Sequence, residues 1–199
     1  MTAIWEDIIK KSLRCVDEVY PEVNGVTLGV FPVADFLIEA ATWVARVVPT
    51  RALGLGRELP VDGLTPHADG SGSLPLPEDF LRLVSFRMKG WKKPVTTPIY
   101  DTDARYAQQS NPTLRGGVTF PVVAICDGET RMEYYSTPLG VYAEVERASY
   151  FPKPNLESDF PASLAYAVAW KCAELTLASM NDTATALATQ RVAEHIQAL

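Results

Sequence analysis

The stretch LPLPEDFLRLVSFRMKGW, residues 74–91, decides the fold. It opens on a proline-stiffened lead, Leu74-Pro75-Leu76-Pro77, and turns at Glu78-Asp79-Phe80. Val84, Phe86 and Met88 then alternate with Ser85, Arg87 and Lys89. Alternation of period two predicts a strand with one face buried and the other wet. Helical patterns flank it further out. The stretch therefore reads as the start of a β unit set inside a helical frame, with its prolines directing the chain out of the helical part.

On the N-terminal side, Trp5, Ile8, Ile9, Leu13, Val16 and Tyr20 recur at three- and four-residue steps, an amphipathic helix with Thr2 as its N-cap. Pro21 stops it, and Asn24-Gly25 signals a turn. A second helix starts near Pro32, buries Phe36, Leu37, Ala40, Ala41, Val44 and Val47, and ends at Pro49. Between residues 50 and 73, five glycines (Gly54, Gly56, Gly63, Gly70, Gly72) with Pro60 and Pro66 exclude a long helix.

On the C-terminal side, residues 95–100 read as an edge segment interrupted by Pro98. Residues 101–117 are polar and irregular, a long loop of the kind that serves function or orders against a partner. Residues 118–126 hold a continuous apolar run, which predicts a strand buried on both faces. Asp127-Gly128 turns the chain into residues 131–135, and a turn at Thr137-Pro138-Leu139-Gly140 leads into a strand at 141–150. The sum is an antiparallel β unit of four or five strands. After a linker at 152–159, Ser158 or Asp159 caps a helix over 162–180 with Pro161 in its first turn. That helix is apolar on two sides, so it is central in its own fold or pressed against a neighbouring subunit. Asn181-Asp182 breaks it, and a last helix covers 183–199. The expected class is α+β: residues 1–56 and 158–199 form a helical bundle, and residues 57–157 an inserted β domain.

Composition narrows the function. The 199 residues are 47% hydrophobic and carry a net charge of −6, which fits a folded chain and argues against a dedicated duplex-DNA grip. Cys15, Cys126 and Cys172 are widely spaced, form no CxxC pair and read as small core residues in a reducing cytoplasm. The sequence lacks a signal-peptide pattern and a membrane-spanning run. His67 and His195 lack further ligands at metal spacing and read as solvated. No nucleotide loop or nucleophile elbow is present, so no catalytic residue, cofactor site or metal site is assigned. Glu78-Asp79 reads as a turn cap rather than an acid–base pair. Glu144 and Glu146 share a strand face and need Arg131, Arg147 or solvent. Arg87, Lys89, Lys92 and Lys93 surround Trp91. That patch is either the wet, lysine-guarded side of a strand, a contact for an acidic partner, or a grip on nucleic acid.

Taken in order, the N-terminal helices, LPLPEDFLRL, RMKGWKKPV, CDGETRMEYYS and the apolar closing helix resemble the head-to-tail adaptor proteins of tailed bacteriophages. The likeness is to ring proteins under the portal of short-tailed and crAss-like phages, related to the tail tubular protein A group. The resemblance implies a homo-oligomeric ring, expected to be a dodecamer, between portal and further tail proteins. It would continue the DNA channel without binding DNA specifically, and would not act as an enzyme. Acidic channel walls would repel phosphate. Tyr166, Trp170 and Leu177 are then the anchors expected at a subunit contact, unless they are internal core. Residues 50–73 and 101–117 are expected to order against neighbours. A nucleic-acid-binding module using Arg87–Lys93, or an unrecognised enzyme, are the alternatives.

Overall fold

The computed structural model describes residues 1–19, 32–135, 137, 143–180 and 184–199. The chain is α+β and divides into two units, 1–54 with 153–199 and 55–152.

The first unit is helical. α1 (Ala3–Val19) buries Trp5, Ile8, Ser12, Cys15, Val16 and Val19 along one stripe. The Thr2 carbonyl accepts from the Trp5 and Glu6 amides, while its hydroxyl makes no hydrogen bond, so backbone rather than side chain caps the helix. A 3-10 turn (Val33–Phe36) follows Pro32 and runs into α2 (Leu37–Val47). Val47, expected in its buried stripe, is exposed; Ala45 takes the inward position. α3 (Ala165–Ser179) packs against α1, α2 and α4 (Thr185–Gln197). Its all-round apolar surface is thereby used inside the unit, where Val168, Cys172, Ala173 and Leu177 are fully enclosed. No Ser158 or Asp159 side chain caps this helix. It begins with a 3-10 turn (Ala162–Leu164) after Pro161, and Ser158 instead donates its hydroxyl to the Asn155 carbonyl. The Trp5 indole locks that linker by donating to the carbonyls of Asn155 and Ser158, at 3.1 and 2.9 Å, and its ring meets Phe160.

Among its described residues the second unit holds eight strands in two sheets, more than the four or five expected of an antiparallel β unit. β1 (Arg57–Glu58), β8 (Val145–Pro152) and β4 (Phe80–Met88) form a three-stranded antiparallel sheet in the order β1-β8-β4. β2 (Thr65–Pro66), β3 (Gly72–Pro75), β7 (Arg131–Tyr134), β6 (Val123–Cys126) and β5 (Ile99–Tyr100) form the other in that order, with β5 and β6 parallel.

Residues 74–91 cross between the sheets. Leu74 and Pro75 belong to β3, and after four intervening residues Phe80 starts β4. The prolines thus change sheets within the β unit, rather than leading the chain out of the helices. Leu74, Phe80, Leu83, Phe86, Met88, Val123, Ile125, Met132, Tyr134 and Tyr150 share one buried cluster drawn from both sheets. Phe86 meets Tyr134 across it at 6.1 Å and Trp91 edge-on at 5.8 Å. β4 is buried along most of its length, and Ser85, expected on a wet face, is buried.

β6 is buried on both faces, as its apolar run predicts: Val123 and Ile125 face the main cluster, and Ala124 and Cys126 face a second one with Ile99, Tyr135 and Tyr106. The strand starts at Val123 rather than 118, because Pro121 has no amide to donate. The expected turns at Asn24-Gly25, residues 138–140 and Asn181-Asp182, the stop at Tyr20-Pro21, and the first residues of the 141–150 strand lie outside the described residues.

Candidate functional site

The basic patch at the end of β4 is largely neutralised within the fold. Lys89 donates to Glu144 at 2.6 Å and Arg87 pairs with Glu146 at 3.2 Å. The Glu144 carboxylate, first among its neighbours, pushes the Lys89 ammonium pKa up. These are the partners of the two glutamates, in place of Arg131 and Arg147: the β4–β8 register sets Arg87 opposite Arg147 and brings Glu144 and Glu146 to the same end. Trp91 is 1% exposed beneath Phe86, so its ring cannot stack a base, and Arg87 also donates to its carbonyl. Lys92 and Lys93 remain exposed, the latter with its ammonium 4.6 Å from the Phe120 ring.

Asp79 does not cap its turn; its carboxylate accepts from Arg57 and from the Tyr150 hydroxyl, both at 2.8 Å, and so ties β1 and β8 to the start of β4. Glu133 is a second, partly buried carboxylate with a binding role inside the fold. It accepts from Tyr106 at 3.1 Å, Tyr135 at 2.6 Å and Arg131. Burial pushes its pKa up, but the hydrogen bonds from Tyr135, Arg131 and Tyr106 outweigh that and hold it below the usual range. Through Tyr106 it fastens the 101–117 loop to β7. Gln109 holds the loop's two arms together, and Arg115 pairs with Asp69 at 2.8 Å.

The other sequence-chosen anchors separate by exposure. Leu177 is fully buried and Trp170 is 4% exposed, so neither stands free on the surface; Tyr166 is 53% exposed. Tyr166 and Trp170, one turn apart on α3, form a shelf for His195 of α4. The imidazole stacks on Tyr166 at 5.8 Å and lies 6.5 Å from Trp170. His195 is thus half-buried and packed, not solvated. His67 is exposed, with Nδ1 3.0 Å from the Ser71 hydroxyl.

Around this shelf α1, α3 and α4 open a groove of about 360 Å³, lined by Lys11, Arg14, Cys15, Glu18, Tyr166, Trp170, Arg191 and His195. The floor is aromatic and the rim mainly cationic. Lys11 lies 5.1 Å from the Tyr166 ring centre and also pairs with Asp7. Arg191 reaches Glu18 at 3.5 Å and Glu194 at 3.0 Å. Sequence reading missed this groove. Its signal was present as Lys11, Arg14 and Glu18 on one face of α1, and as Arg191 and His195 one turn apart on α4.

Among the described residues, no group of three His, Cys, Asp or Glu is placed to hold a metal ion, and no helix is long and apolar enough to cross a membrane. No protein-family model matches the sequence, and no curated protein does.

Proposed function

We propose that this chain is a structural virion protein, a ring-forming adaptor at the head–tail junction of a tailed bacteriophage. It would be made in the host cytoplasm, assemble as a homo-oligomer (expected dodecamer), and join the portal to further tail proteins. The observation that carries the reading is the order of elements. One helical unit is made from both chain ends, and a β unit is inserted between them, in the order in which the motifs resemble that group.

Two further features support it. Large apolar side chains stand exposed on each unit: Tyr166 on the helical one, and Leu55, Leu114 and Phe120, at 80%, 62% and 71%, on the β one. Such side chains suit a protein covered by neighbours. The net charge of −6 suits a channel that passes DNA without holding it. The nucleic-acid reading loses ground, because Arg87 and Lys89 are paired with glutamates and Trp91 is buried.

A gel-shift titration of the assembled protein with duplex DNA tests this. The adaptor reading expects no tight complex at physiological salt. A complex that tightens steeply as salt is lowered, with a slope showing several phosphate contacts, would favour the nucleic-acid module instead.

A further inference from the structure

We infer that the groove between α1, α3 and α4 is a docking site for residues 55–62 of a second copy of the chain. The inference deepens the ring reading by naming one of its contacts.

The groove's chemistry selects the occupant. Its volume of about 360 Å³ accommodates a few side chains, and its floor of Trp170, Tyr166 and Cys15 takes apolar ones. Its charges are unevenly answered. Lys11 has Asp7, and Arg191 has Glu18 and Glu194. Arg14 is exposed and makes no ion pair among the described residues, and the Arg191 Nε is buried without an acceptor. The site therefore calls for one or two carboxylates beside apolar groups. A nucleic-acid backbone fits poorly, since a run of phosphates would also meet Glu18, Asp7 and Glu194.

The chain carries a segment of that composition on its β unit. In residues 55–62, Glu58 and Asp62 are exposed and make no ion pair among the described residues. Leu55 is 80% exposed and Val61 38%. The segment includes β1, the edge of the three-stranded sheet. Pro60 removes an edge amide, so the segment offers side chains rather than a strand to extend. The adjacent Arg57 is held by Asp79 and does not cancel these acids. Joining two different surfaces of identical chains is a heterologous contact, which closes into a ring when the rotation allows.

Charge reversal tests the contact by sedimentation velocity. Arg14→Glu with Arg191→Glu, and separately Glu58→Lys with Asp62→Lys, should each weaken self-association at least about tenfold, the scale of one lost charged contact. The four changes together should restore it. Because Arg191 also pairs within the fold, a synthetic peptide of residues 55–62 is titrated into the wild-type chain while the two histidines are followed by NMR. It should shift His195 saturably and leave His67 unmoved. If the wild type assembles and both double variants assemble equally well, this contact is wrong and the ring stands. If the wild type associates only into dimers or open chains while the peptide moves His195, the ring reading falls and the docking site stands. A monomeric wild type with no peptide shift overturns both.

Discussion

At the scale of single residues, Glu133 shows what a partly buried carboxylate does here: it is a fastener for the 101–117 loop. Three donors converge on it, from Arg131, Tyr106 and Tyr135. Its folded pKa is depressed, so its contribution is complete above the unfolded carboxyl pKa of about 4.3 and is lost as pH falls through the lower folded value. Glu133→Gln should cost about 1–3 kcal/mol in urea unfolding near pH 7 and flatten the acid limb of the stability profile. An unchanged acid limb would remove Glu133 from that role.

The cysteines make a second residue-scale prediction. Burial, first of all, pushes the Cys15 thiol up to about 12 and Cys172 up to about 11, and it raises Cys126 as well. Thiolate is the reactive form, so iodoacetamide at pH 8 should modify none of the three until the chain unfolds. Their core character was legible from the apolar patterns around them. The burial of Trp91 was not, because its flanking lysines read as a wet surface while its ring turns under Phe86.

Among the elements, β4 and β8 form the principal pairing of the β unit, running from Phe80 opposite Pro152 to Met88 opposite Val145. Phe86 sits where the two sheets and Trp91 meet, so Phe86→Ala should cost about 3–5 kcal/mol by denaturant unfolding. A cost under about 1 kcal/mol would show that the two sheets do not share a close-packed core there. Gly56, just before β1, has φ +71, and an added Cβ would stand 2.7 Å from the Tyr150 carbonyl oxygen. Gly56→Ala should therefore destabilise by about 1–3 kcal/mol, seen as a lower Tm.

Local pattern sufficed to locate α1, α2, α3, β4 and β7, whose periods are carried by contiguous residues, but not to assign every face, since Ser85 of β4 is buried and Val47 of α2 exposed. It did not suffice for sheet membership. β3 pairs with β7 across more than fifty intervening positions (Gly72 opposite Tyr134), and such a register leaves no trace in either segment alone. The parallel β5–β6 pair was hidden for the same reason, since Pro98 marked an edge without saying which strand lay beside it.

For the whole molecule, the α+β class and the insertion of a β unit between helical ends were readable from the order of patterns along the chain. The groove was not, because it unites residues from α1, α3 and α4 that are remote in sequence. If the chain works as one subunit of a ring, it should assemble with copies of itself. Negative-stain imaging of the concentrated protein, alone and mixed with the portal of the same virion, tests it most directly. Closed rings with an axial channel, dodecameric and coaxial with the portal, are expected. Particles that remain single subunits under both conditions would contradict it.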